Sequence, residues 1–178
     1  MIRRAAAAAI VLALALGMTT ACQPDPAPSA SGPIFANEEE AFAAAEETYR
    51  AYVDALNQVD LSDPETFEAV YAWTTGEANA NERTTLSQMH ADGWLVAGST
   101  AIDGFRGTNA ELSDPIVISA VVCSDVSDVT VVDSDGQSVV SEQRPEVYAL
   151  SVEFVESDAT NTGLAITASN AVEDAACI

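Results

Sequence analysis

The chain has 178 residues, 28 of them acidic against six basic, with a formal charge of −22 and no lysine. A surface so acidic repels phosphate backbones and anionic headgroups, which excludes nucleic acid as a partner and membrane attachment through a basic patch. The length allows one domain of about 100–150 residues with additional segments.

Arg3 and Arg4 precede an apolar run from Ala5 to Met18, followed by Thr19, Thr20, Ala21 and Cys22. A basic start, an apolar stretch too short to span a bilayer and a small-residue exit predict a secretory signal over residues 1–21. The cysteine directly after that exit resembles the lipobox of bacterial lipoproteins, with Thr19 standing where such boxes usually carry an aliphatic residue. The resemblance implies that Cys22 becomes a thioether-linked, palmitate-bearing N-terminus. It also implies export and a lipid bilayer as the holding partner, at the outer face of the cell membrane. Removing residues 1–21 moves the net charge to −24, and a domain so acidic stays near a membrane only if something anchors it.

Residues 22–36 follow the signal, carry four prolines and show no hydrophobic period. They read as a semi-extended, flexible tether, which leaves 37–178 as a single folded domain. Asn37, with Glu40 three residues on, is a helix N-cap signal. Phe42, Ala45, Tyr49, Tyr52, Val53 and Leu56 then recur at spacings of three and four, predicting a helix over 38–57. Asp63-Pro64 starts a second helix carrying Phe67, Val70, Tyr71 and Trp73 and ending near Gly76. A third is expected over 78–91, with Leu86 and Met89 inward and Asp92-Gly93 as its stop.

From Trp94 the period becomes two. A strand starts there and is expected to break at Asp103-Gly104. Ile116 to Cys123 alternates; Val129–Val132 leads into the turn signal Asp133-Ser134-Asp135-Gly136, with Val139-Val140 as a return. Tyr148, Leu150, Val152 and Phe154 share one strand face, and Leu164, Ile166 and Ala168 form the last strand. Helices followed by antiparallel strands define an α+β fold, three N-terminal helices packed on a strongly curved antiparallel sheet. The expected core is Phe42, Tyr49, Phe67, Tyr148, Leu150, Val152, Phe154 and Ile166.

Apart from Cys22, the only thiols are Cys123 and Cys177. Outside the cytosol they most simply form one disulfide enclosing 53 residues,. Metal binding is under-supplied, because His90 is the only histidine,.

The order of helices and strands, the Tyr49-Arg50-Ala51-Tyr52 helix and the Cys123-Ser124-Asp125 strand end resemble the cystatin-like cone of ketosteroid isomerase and nuclear transport factor. More narrowly, Cys123-Ser124-Asp125-Val126-Ser127 running into Val131-Val132-Asp133-Ser134-Asp135-Gly136 is similar to uncharacterised actinobacterial surface lipoproteins built on that cone. The resemblance covers about residues 38–178 and implies a cavity at the open end of the fold.

Tyr49, Tyr52, Tyr71, Trp73 and Trp94 are the candidate cavity residues, the tyrosines and Asp54 being the groups an isomerase-like site would draw on. Tyr49 and Tyr52 also lie on the stripe that must pack against the sheet, so core or cavity wall is the reading preferred over catalysis. His90, near a helix C-terminus, reads as a surface or capping group. Setting Asp133-x-Asp135-Gly136 in an EF-hand register puts Glu142 at the twelfth position but Val131 at the first, between strands rather than helices. That segment reads as an acidic turn with at most weak attraction for Ca²⁺. No metal, cofactor or catalytic residue is assigned. The function expected is an exported, lipid-anchored surface protein with a non-enzymatic binding or accessory domain, its partner a small molecule or an envelope protein. The alternatives are a cavity enzyme of isomerase or hydratase type using Tyr and Asp, and a structural envelope-assembly protein.

Overall fold

In the computed structural model, residues 34–177 are described. The expected signal, Cys22 and the tether up to residue 33 lie outside them. Phe35, within the stretch that composition assigns to the tether, is only 6% exposed and belongs to the core. Packing therefore starts just before the first helix.

That helix, α1 (Glu38–Leu56), is capped as its sequence requires. Asn37 Oδ1 accepts the Glu40 backbone N–H at 3.0 Å, and Glu40 Oε2 accepts that of Ala36 at 2.8 Å. Three glutamates in the first turn complement the positive end of the helix dipole,. Ala41, Ala45, Tyr49 and Val53 recur every fourth residue and are buried.

Asp63 caps a 3₁₀ turn (Pro64–Thr66) that runs into α2 (Phe67–Tyr71). The second helix ends earlier than its composition predicts. Residues 73–75 leave it to bond the sheet: Ile166 N–H donates to Trp73 O at 2.9 Å and Thr75 N–H to Ile166 O at 2.8 Å. Then α3 (Gly76–Ala91) begins two residues before the predicted start. It stops at the predicted place, where Gly93 adopts φ +68° and Trp94 N–H donates to Met89 O,.

Six strands follow: β1 (Leu95–Ala97), β2 (Ala101–Glu111), β3 (Val117–Asp125), β4 (Thr130–Val132), β5 (Val147–Glu156) and β6 (Leu164–Val172). The main sheet is antiparallel in the order β2-β3-β5-β6, while β1 and β4 pair as a separate ribbon, Leu95 opposite Val132. The expected break at Asp103-Gly104 is a register shift inside β2, not an interruption. Similar shifts occur at Gly107/Asn109 and at Glu153/Phe154. Bulges of this kind bend strands, and the sheet curves around the helices as expected for the α+β fold. Val139-Val140 does not make a strand; the return from the turn is a single bridge, Val132 to Ser138.

The inner face carries Ile118, Ala120, Val122, Val152, Phe154, Leu164 and Ile166 against α1. The Phe42 ring lies on bare backbone at Gly107, where a β-carbon would sit 2.3 Å from it. A second apolar cluster, Ala55, Leu61, Phe67, Val70, Tyr71 and Leu86, joins the three helices, so Phe67 is core but not sheet core. Phe42 and Leu150 are half-buried against the first cluster, and Tyr148 is half-buried at the strand end.

On the other face of the sheet the C-terminal tail doubles back. Cys177 is bonded to Cys123 of β3 (S–S 2.00 Å, Cα–Cα 5.2 Å), and Asp174 pairs with Arg106 of β2 at 2.6 Å.

Candidate functional site

A cavity of about 310 Å³ opens beside the second apolar cluster. Leu56 and Asn57 come from the end of α1, and Val59 and Leu61 from the loop after it. Glu82, Thr85, Leu86 and Met89 come from α3, and the opposite wall is Val96, Gly98, Thr100, Val129 and Val131. That wall is the β1–β4 ribbon with its flanking loops, and Val96 at the mouth remains 44% exposed.

Two devices hold the ribbon in place. Gly98 (φ +87°) approaches the chain after β3 so closely that a β-carbon would lie 2.0 Å from Asp128 O. Arg144 Nη2 donates to Val126 O at 3.0 Å and Val129 O at 2.9 Å, fixing the loop that carries Val129. At the floor, His90 Nδ1–H donates to Leu61 O at 2.6 Å, with its ring edge-on to Phe67. His90 thus fastens a loop to a helix end.

Glu82 is the only ionisable side chain in this lining. It also borders a smaller cavity of about 60 Å³ with Tyr49, Tyr52, Thr74, Ala78, Asn81, Ile166 and Ser169. The Tyr52 hydroxyl donates to Glu82 Oε1. Burial raises the Glu82 carboxyl above its ordinary range, against the opposing effect of the Tyr52 hydrogen bond,. Burial, then the nearby Glu82 charge, pushes the Tyr49 hydroxyl up to about 12 and Tyr52 well above the usual tyrosine range. Their rings meet at 5.7 Å.

Of the five sequence candidates, Tyr49 and Tyr52 border the smaller cavity. Tyr71, Trp73 and Trp94 line neither; they pack in the second apolar cluster. Tyr71 is covered by the Arg83 guanidinium, 3.9 Å above its ring. Asp54 is exposed on α1 and borders neither cavity. In the acidic turn, Asp133 Oδ1 accepts the N–H groups of Asp135 and Gln137, both at 2.9 Å, so that carboxylate serves the turn itself. Among the described residues no cluster of three metal-ligating side chains occurs, and no helix is long and apolar enough to cross a membrane.

The residue that sequence reasoning missed is Glu82. It falls four after Ala78 and four before Leu86, both buried, and so lies on the inward stripe of α3. That spacing was the available signal.

No protein-family model matches the chain, and no curated protein matches it. Solved structures that share part of its shape include the following. The intermembrane-space region of the chloroplast protein ARC6 is 12% identical, with a TM-score of 0.49 over 75% of this chain and 97% of that one. A periplasmic fragment of TraM is 10% identical, with a TM-score of 0.48 over 77% and 98%. A protein named as a polyketide cyclase from Xanthomonas campestris pv. campestris is 15% identical, with a TM-score of 0.36 over 75% and 92%. At TM-scores below 0.5, nothing about the function of this chain follows from them.

Proposed function

We propose that this chain is an exported surface protein, acylated at Cys22, held off the membrane by the proline-rich stretch up to residue 33, and that its domain binds a small apolar molecule without transforming it. The observation that carries the binding reading is the cavity between α3 and the β1–β4 ribbon. It is walled mainly by Leu, Val and Met, and its polar groups are few: Asn57, Glu82, Thr85 and Thr100. Concave apolar sites with a few convergent polar groups are the usual form of small-molecule pockets. None of the groups expected of an isomerase-like site, Tyr49, Tyr52, Tyr71 or Asp54, lines this cavity, and its one carboxyl is already engaged by the Tyr52 hydroxyl.

Titration with the neutral apolar dye Nile red tests the binding. Saturable uptake of one dye per chain is expected, abolished in Thr85→Trp, where an indole on an exposed helix position fills the cavity. Dye uptake unchanged in that variant would overturn the assignment. The anchor has its own test: labelled palmitate should be retained on the wild type and lost in Cys22→Ala. Recovery of unlabelled wild type in the medium would refute it.

A further inference from the structure

Resting on that binding reading, we propose that the cavity selects apolar molecules bearing a protonated amine, with Glu82 as the group that receives it. Three ion pairs form among the described residues, Arg50–Glu46, Arg83–Glu68 and Arg106–Asp174, and Glu82 is in none of them. Its neighbour Arg83 is turned away toward Glu68 and the Tyr71 ring. No arginine lines the cavity, and the chain has no lysine. The carboxyl is therefore withdrawn from water without a cationic partner, the situation in which a charge gains most from receiving one.

Tyr52 supplies the orientation. Its hydroxyl occupies Oε1, which fixes the carboxyl while leaving the lone pairs of Oε2 to accept from a ligand. Leu56, Leu86, Met89 and Val96 supply apolar surface in the same cavity. The site therefore combines a place for a hydrocarbon body with one for a single N–H⁺ donor. The raised carboxyl value agrees with a buried acid that lacks a counterion. The chain's net charge of −22 enriches cations and depletes anions around the mouth,.

Three probes of equal chain length separate the contributions: octylamine, octanol and octanoate, each displacing Nile red from the purified full chain. Octylamine is expected to bind at least about tenfold tighter than octanol, as one charge-assisted hydrogen bond supplies, and octanoate weakest. The preference should persist at high salt, where diffuse surface attraction is screened. Glu82→Gln should bring amine and alcohol to similar affinity. Octanol binding as tightly as octylamine in the wild type would overturn the amine preference and leave the apolar-pocket reading standing. Failure of all three to displace the dye would remove both. A preference that vanishes in salt, or survives Glu82→Gln, would assign it to the acidic surface and overturn the role of Glu82.

Discussion

Asn57 and Thr100 hold each other by a reciprocal pair of hydrogen bonds. Asn57 Nδ2 donates to Thr100 O at 2.9 Å, and Thr100 N–H donates to Asn57 Oδ1 at 2.8 Å. A side-chain amide here does what a neighbouring strand would do, satisfying both backbone groups of one residue. It joins the end of α1 to the approach to β2 at the cavity wall. No substitution of similar size keeps both the donor and the acceptor.

Asn57→Ala should destabilise the domain by about 1–2 kcal/mol, the net value of two such bonds at a partly solvated site. Asn57→Asp, which keeps only the acceptor, should fall between. Chemical denaturation of the three proteins gives the order; an Ala variant as stable as wild type would show the clasp to be incidental.

Glu82 makes stability depend on pH in a defined direction. Its folded value lies above the ordinary 4.5. The contribution is therefore fully present below about that pH and is lost as pH rises through the folded value. Tyr49, Tyr52 and Tyr71 face it from the other helices, all three with raised values, so they stay protonated through this range. Glu82→Gln should match the wild type most closely in acid and gain on it toward neutral pH. Melting curves at several pH values will show this; a constant difference between the two would contradict the assignment.

Gly98→Ala should separate the ribbon from the loop after β3. The new β-carbon meets Asp128 O at 2.0 Å, in a backbone conformation (φ +87°) that alanine rarely adopts. A loss of about 1–3 kcal/mol is expected, with Nile red uptake reduced. At Gly136, also at positive φ but with open space around it, the same change should leave dye uptake intact.

Replacing both Cys123 and Cys177 by Ser should cost about 4 kcal/mol in the chain-entropy account of a closed loop this long. The comparison is of equilibrium unfolding with and without the bridge. A loss under about 1 kcal/mol would mean that the unfolded chain is already constrained in this region.

The frame of the fold was legible because its signals are local. Asn37, Asp63 and Asp92-Gly93 mark helix ends by capping chemistry, and the alternation through Ile118–Val122 and Val152–Phe154 marks the inner face of the sheet. The larger cavity was not. One wall depends on pairing Leu95 with Val132, two three-residue strands far apart in sequence with no period of their own to read. Glu82 went unnoticed because a glutamate in a helix is ordinarily solvated. Only its place between Ala78 and Leu86 says otherwise. Trp73 and Trp94 drew attention by size, yet their bulk closes the seam between helices.

The C-terminal strap changes where the native structure comes apart first. Chain ends ordinarily fray, and a terminal edge strand would be the natural starting point. Here the segment beyond β6 is bonded through Cys177 to β3 and paired through Asp174 with β2, so β6 cannot drift outward without straining the two strands on the far side of β5. The least supported element is then the β1–β4 ribbon, two three-residue strands with Leu95 60% exposed. Amide protons of the ribbon should exchange with solvent well before those of β6. Local opening would thus begin at the wall of the cavity, providing a route for entry and exit while the sheet stays intact.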